Sequence, residues 1–399
     1  MTREATRPRL VTPAFLLIAL STLAYFIAEG ALIPTVPQYV EGPLGGSEAA
    51  VGIVVGAFAV TALLLRPWAG RLADRRGRRF VMLVGMVLFA SSVAGYVVAD
   101  SIWLMVVMRL LTGAGAAFFF VGAATAVTDL APEARRGEAF SFFSLALYAG
   151  VGVGPVLGEV AVQASGFDLA WWLIVAASVL AFALALPVPD TRPPERDEGP
   201  MRIVHPAAIV PGLVILASVW GMAGFFAFTP LYAKELGLAD SRFVFLLFSV
   251  VVLLIRGFGA KIPDRLGPGR AARSALVLSG VALLVIGLFD STPGLLVGTA
   301  ILGVGVALAF PALMTMTVAA APPAERGAAV GTFSAFVDLA FGVGPLTLGF
   351  VAEAAGLRAV YLAAAGVAFI GLIVLMIRGQ RRRRGRRPEP GMPVPEMPA

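Results

Sequence analysis

"GRLADRRGRR", Gly70–Arg79, interrupts a chain that is otherwise overwhelmingly apolar. Six of its ten residues are charged, five of them arginine and one, Asp74, acidic. Long hydrophobic runs lie on both sides. A basic segment between two such runs reads first as a loop that anchors two membrane helices. The acid and the two glycines, Gly70 and Gly77, are not explained by anchoring. Their meaning depends on what surrounds them.

Outward from this stretch, the 399 residues are 59% hydrophobic and only 14% charged, with a mean hydropathy of +0.89. Soluble globular domains are about half apolar and a quarter charged. The apolar residues come in runs of about twenty, the length of a helix that crosses a bilayer core. The composition therefore predicts an integral membrane protein. No cysteine is present, which excludes disulfides and thiolate metal sites. The single histidine, His205, lies in a polar stretch and reads as a solvated linker residue. The net charge of +7 suggests no nucleic acid, because the basic residues gather between apolar runs. The first apolar run continues to about Pro37, too long for a signal peptide.

Twelve spans are expected, over 13–37, 48–68, 80–99, 102–128, 137–163, 168–188, 207–232, 240–259, 271–290, 293–320, 327–353 and 356–378. The fold class is all-α and membrane-integral. The polar interruption 189–206 divides the chain into a six-helix bundle over 1–188 and another over 207–378, followed by a basic, Pro-rich tail over 379–399. With both termini inside, the inside segments hold 27 Lys and Arg and the outside ones three, Lys234, Arg242 and Arg358. Such a split predicts a cytoplasmic location for both termini in a multi-pass cell-membrane protein.

The halves repeat. The shift that carries Arg66 onto Arg256 also carries Asp74, Arg75 and Gly77 onto Asp264, Arg265 and Gly267, and Gly154-Pro155 onto Gly344-Pro345. One constant offset holds such matches across five predicted helices. Each half has an even number of helices, so the two halves face the same way, as a parallel repeat about an axis along the membrane normal. That is an arrangement of secondary transporters, with the site between the halves.

Gly70, Leu72, Ala73, Asp74, Arg75, Gly77, Arg78 and Arg79 match in order the loop signature of the major facilitator superfamily, which the chain resembles over nearly its whole length. A degraded second copy stands at 260–270. "RLLTGAGAA" at 109–117 resembles the fourth-helix motif of proton-linked members. "GVGVGPVLGE" at 150–159 resembles the fifth-helix antiporter motif through Gly150, Gly154, Pro155 and Gly158, although Glu159 and Ser141 depart from it. The resemblance implies the drug and metabolite proton-antiporter branch. It further implies a gate in which Asp74 meets a helix N-terminus near Gly327 and Arg78 reaches Asp129. Gly150, Gly154 and Gly158 share one helix face, which permits close packing and, by the resemblance, a hinge.

Ionisable groups within spans point to function. Glu29, Arg109 and Asp338 are the candidates for proton coupling. Burial favours a neutral carboxyl and a nearby arginine favours its charged form, so a moving arginine can couple proton release to transport. Glu29 leads; for Asp338 and Glu159 the plainer alternative is helix-to-helix hydrogen bonding. Tyr25, Glu29, Gln38, Phe119, Tyr148, Phe226 and Phe310 are candidates to line a substrate cavity. Few carboxylates argue against highly cationic substrates. The expected function is proton-coupled export of small, moderately hydrophobic compounds by a monomer, with protons, substrate and bilayer as the only partners. A sugar or organic-solute transporter of the same fold is the alternative, and a non-transporting sensor is more remote. Absence of Asn and scarcity of Gln weaken the sugar reading. There is no glycine loop followed by Lys-Ser/Thr to bind nucleotide, no cofactor or metal is expected, and no catalytic constellation points to an enzyme.

Overall fold

The computed structural model describes residues 10–132, 135–191, 204–258, 265–322 and 325–384. These residues are almost wholly helical: α1 (Pro13–Glu41), α2 (Glu48–Arg76), α3 (Arg78–Tyr96), α4 (Ile102–Leu130), α5 (Arg136–Ala185), α6 (Pro206–Glu235), α7 (Arg242–Phe258), α8 (Pro268–Leu288), α9 (Thr292–Ala320), α10 (Arg326–Ala355) and α11 (Leu357–Arg384). Ten of them are long and apolar enough to cross a membrane. Helices are expected there, because lipid offers no partner to an open backbone group. The fifty-residue α5 is broken at Ser165 and Gly166, where Gly166 has φ +80°, and so forms two arms, 136–164 and 167–185.

Local chemistry starts and stops these helices. Thr12 Oγ1 accepts the amide of Phe15, and Pro13 occupies the first helical turn of α1. Ser101 and Ser291 cap α4 and α9 in the same way. The shift that relates the two halves of the sequence carries both ends of α4, Ile102 and Leu130, onto both ends of α9, Thr292 and Ala320.

The segment 70–79 is mostly helix. α2 runs eight residues beyond its expected end, and Gly70 lies inside it with open space where a side chain would be. Gly70 therefore makes no turn. The chain turns at Gly77, whose φ of +96° suits glycine. Leu, Ala and Arg propagate a helix well, so nothing before Gly77 ends it.

α1 packs along α5, α3 and α2 along α4, α8 along α9, and α11 along α6 and α8. Glycines bring backbones together at these seams; a Cβ on Gly115 would stand 2.7 Å from the Gly85 carbonyl oxygen. Trp68, Trp103 and Trp172 are exposed near helix ends, where indole rings suit a membrane interface.

Contacts between the first five helices and the rest are uneven along their length. At the ends of α2 and α10 remote from Gly77, the helices meet backbone to backbone. A Cβ on Gly349 would lie 2.8 Å from Glu48 O, and one on Gly56 2.7 Å from Gly342 O. Among the described residues, backbone contact of this kind seals one face of the bundle and is lacking at the other, parted face, which carries Gly77.

Candidate functional site

Between the parted helices lies a cavity of about 320 Å³, lined by α1, α2, α4, α5, α6, α7, α9 and α10. Its walls are mainly apolar. Five carboxylate or guanidinium side chains face it: Glu29, Arg66, Arg109, Arg256 and Asp338. Such groups are costly at membrane depth, and here they converge on one space.

The arginines are held differently. Arg66 Nη2 meets Asp338 Oδ1 at 2.9 Å, joining α2 to α10, and its guanidinium lies 4.7 Å from the Phe120 ring centroid. The pairing is single-stranded: Arg66 Nε and Asp338 Oδ2 are buried and have no hydrogen-bond partner. Arg109 donates from Nε to Val54 O and from Nη2 to Val55 O, both at 3.4 Å, and lies over Phe58. Arg256 donates to the Tyr148 hydroxyl at 2.9 Å, joining α7 to α5. Glu29 makes no hydrogen bond or ion pair with the described residues.

Of the candidate lining residues, Tyr25, Glu29, Tyr148, Phe226 and Phe310 line the cavity, and so do the proton-coupling candidates Arg109 and Asp338. Two expected lining residues do not. Phe119 is fully buried behind Tyr25, stacked at 3.8 Å between ring centroids, and Phe120, one residue further round the helix, takes the cavity position. Gln38 points to the sealed face, where its amide donates to Glu159 Oε1 at 3.1 Å. Glu159 also accepts the Ser241 amide at 3.1 Å and the Ser241 hydroxyl. It is 2% exposed and tied to α1 and to the start of α7, the plainer alternative weighed for it. Beside it Gln163 donates to Asp240 at 2.6 Å, and Asp240 pairs with Arg242. This network closes the sealed face.

Arg66 and Arg256 escaped the sequence reading, which counted both among loop arginines. Moving them to the cavity leaves 25 inside cations, from the 27 first counted, against three outside. Their signal was present: the two occupy corresponding positions of the repeat, and Arg66 precedes Pro67 within a helix.

Gly150, Gly154 and Gly158 pack on α1. A Cβ at Gly154 would stand 2.5 Å from Ile27 O, and one at Gly158 2.7 Å from Ala31 O. Pro155 lies inside the same helix. At the parted face, Arg78 Nη1 meets Asp74 Oδ1 at 2.5 Å and Arg78 Nε meets Asp129 Oδ2 at 3.1 Å. The Asp74 carboxylate thus turns to Arg78 on its own side, and its side chain is 60% exposed. Arg79 donates to the carbonyls of Leu186 and Val188, which fastens the end of α5. Gly77 lies so close to the Asp190 carboxylate that an added Cβ would displace it. Arg75 stands on the same segment. Residues 260–264 of the second copy of the motif, 260–270, lie outside the described residues. His205 is not a solvated linker residue. It is 4% exposed, its Nδ1 accepts the Ala207 amide, and its Nε2 lies 2.7 Å from Glu325 Oε2.

The family model of the Major Facilitator Superfamily matches residues 18–292 and 243–398. An uncharacterized MFS-type transporter of Salmonella typhimurium is 32% identical over 359 residues, covering 88% of this chain and 92% of its own. The uncharacterized MFS-type transporter YhhS of Escherichia coli is 27% identical over 366 residues, 90% of each chain. Among solved structures, a bacterial homolog to the human lysosomal transporter Spinster, inward-facing and unoccupied, superposes with a TM-score of 0.76 at 15% identity, covering 94% of this chain and 98% of its own. The human organic anion transporter MFSD10 gives 0.68 at 21%, covering 92% and 100%. Those structural likenesses speak to fold alone. Family match, helical membrane architecture and a charged internal cavity agree: the chain belongs to the major facilitator superfamily and is a multi-pass membrane transporter of small molecules, not an enzyme.

Proposed function

We propose that the protein is a proton-coupled antiporter of the drug and metabolite branch, exporting small, moderately hydrophobic compounds by alternating access. The observation that carries this reading is the cavity's charge arrangement. Glu29 stands unpaired near Arg109, and beside it Asp338 holds Arg66 by one oxygen while the other is unpartnered. A carboxyl so placed has room for a proton. Protonating Asp338 removes the charge that holds α2 to α10, which links proton binding to helix movement. Glu29 is the leading carrier, with Arg109 as its tuning charge.

In this reading twelve helices cross the membrane: the ten of sufficient length, with α5 counted as two spans, and α7. They form two six-helix bundles over 1–188 and 207–378, joined by the cytoplasmic linker 189–206 and followed by the tail 379–399. Residues 192–203 of the linker and 385–399 of the tail lie outside the described residues. The matching bounds of α4 and α9 support the repeat. Both termini are cytoplasmic in the cell membrane, so the parted face opens inward, and the unit is a monomer. Arg78 with Asp74 and Asp129, at the parted face, forms the inner gate together with Gly70, Arg75 and Gly77. The Gly150, Gly154, Pro155 and Gly158 face is its hinge.

The test is uptake of a broad compound panel into inverted membrane vesicles, with and without an acid lumen. Antiport predicts gradient-driven uptake by the wild type and its loss in Glu29→Gln. Full gradient dependence in that variant would remove Glu29 from the role. No gradient dependence for any compound would remove antiport.

A further inference from the structure

Two arginines, at corresponding positions of the two halves, bridge helices across this cavity. Arg66 on α2 meets Asp338 on α10 at 2.9 Å. Arg256 on α7 meets Tyr148 on α5 at 2.9 Å, with the guanidinium 4.1 Å from that ring's centroid. The shift that carries Arg66 onto Arg256 also carries Tyr148 onto Asp338. The two contacts therefore correspond, partner for partner. In one the arginine has a carboxylate. In the other a neutral phenol stands where the acid would be.

Arg256 is the cation left over. Arg66 is matched by Asp338, and Arg109 turns its Nε and Nη2 to two α2 carbonyls and lies beside the unpaired Glu29 in the cavity. Arg256 has no carboxylate among the described residues, and its Nε is buried without an acceptor. A guanidinium offers five donors in a planar fork suited to a carboxylate, phosphate or sulfonate. An arginine whose Nε is buried, with only a hydroxyl and a ring face as partners, is under-compensated. Three arginines face the cavity against two carboxyl groups. Two turns along α7 from Arg256, Phe248 packs on Phe226 with centroids 5.2 Å apart, and both face the same cavity.

We propose that Arg256 and Tyr148 seat the anionic head group of an amphipathic substrate, whose apolar body lies against Phe226 and Phe248. The inference rests on the cavity being the transport site and adds the charge class of its cargo. Head and proton sites rest on different side chains: Arg256 meets Tyr148, and Arg66 meets Asp338.

The experiment measures binding of three dansyl probes to the full-length protein in detergent. Dansylglycine carries a carboxylate, dansyl amide is neutral, and dansyl-ethylenediamine carries an ammonium. A charge-assisted contact predicts that dansylglycine binds at least about tenfold tighter than either relative. Arg256→Gln should bring the ratio near unity. Tyr148→Asp should do the same, because it supplies the missing carboxylate internally. Equal binding of the three probes by the wild type overturns the proposal, and so does a Kd for dansylglycine weaker than about 1 mM. A preference that survives Arg256→Gln overturns it too and leaves the Arg256–Tyr148 contact as a plain α5–α7 tether. Should either variant fail to fold, the wild-type selectivity alone decides. Gradient dependence is a separate readout. Anion preference without a pH effect keeps this inference and removes antiport; gradient-driven transport without charge preference does the reverse.

Discussion

Replacing Gly349 by alanine tests whether the seal between α2 and α10 is one of two alternative states. An added Cβ there would meet Glu48 O at 2.8 Å, Gly52 Cα at 3.0 Å and Ala49 Cα at 3.2 Å. All three are backbone atoms of α2, so no side chain can rotate away. Ordinary contact begins near 3.4 Å, so the helices must part by about 0.6 Å at the tightest point. Overpacking of this kind costs about 1–3 kcal/mol. In a conformer where the two helices separate, the methyl meets nothing and the cost vanishes. The variant should therefore move the equilibrium about 5- to 150-fold toward the conformer open at the sealed face. Global stability should change less, because alanine favours helix over glycine by up to about 1 kcal/mol. The chain has no cysteine, so spin labels at Glu41→Cys on α1 and Ala354→Cys on α10, both exposed at that face, report how far the first helices and α10 part there. A longer-distance population should grow in Gly349→Ala. An unchanged distance distribution with unchanged thermal stability would refute a tight, two-state seal.

Other substitutions probe other parts. Arg66→Ala and Asp338→Ala, combined in a double-mutant cycle of thermal unfolding, should show a coupling of about 0.5–3 kcal/mol, and additive effects would mean that the pair does not tie α2 to α10. Gly154→Ala forces a methyl against the α1 backbone and should cost about 1–3 kcal/mol, read as a lower melting temperature; no loss would contradict the close α1–α5 seam. Gly77→Ala meets both an unfavourable φ and the Asp190 carboxylate, so it should destabilise by about 1–3 kcal/mol, visible in the same assay. His205→Ala removes the cap of α6 and the Glu325 contact, a loss of about 0.5–2 kcal/mol for the cap alone.

Much of this architecture was legible before any coordinates. Length and position of the apolar runs follow from what a bilayer demands, and most helix starts fell within a few residues of the observed ones. Boundaries failed where helix and membrane part company. α2 continues past the apolar run because Ala, Leu and Arg are good helix formers in water as well, and only Gly77 stops it. Arg66 and Arg256 were hidden for a related reason: an arginine within three residues of the end of an apolar run looks like a loop cation, and only the packing turns it to the cavity. Glu29, Arg109 and Asp338 stand out in the sequence because charge deep in a span is costly, and all three line the cavity. Facing was not legible. Phe119 and Phe120 differ by a single helical step, and a helix apolar all round carries no period that tells cavity from core. Partners across the cavity were invisible as well, since the Arg66–Asp338 contact joins residues far apart in the chain.

Proton exchange is the central claim, and proton flux is its most direct test. Purified protein is placed in acid-loaded vesicles with trapped pyranine, and dansylglycine, dansyl amide or dansyl-ethylenediamine is added outside. Antiport predicts that a transported probe makes the lumen more alkaline, beyond the change in protein-free vesicles, and that Glu29→Gln abolishes the effect. Probe entry without lumenal alkalinisation would contradict proton exchange.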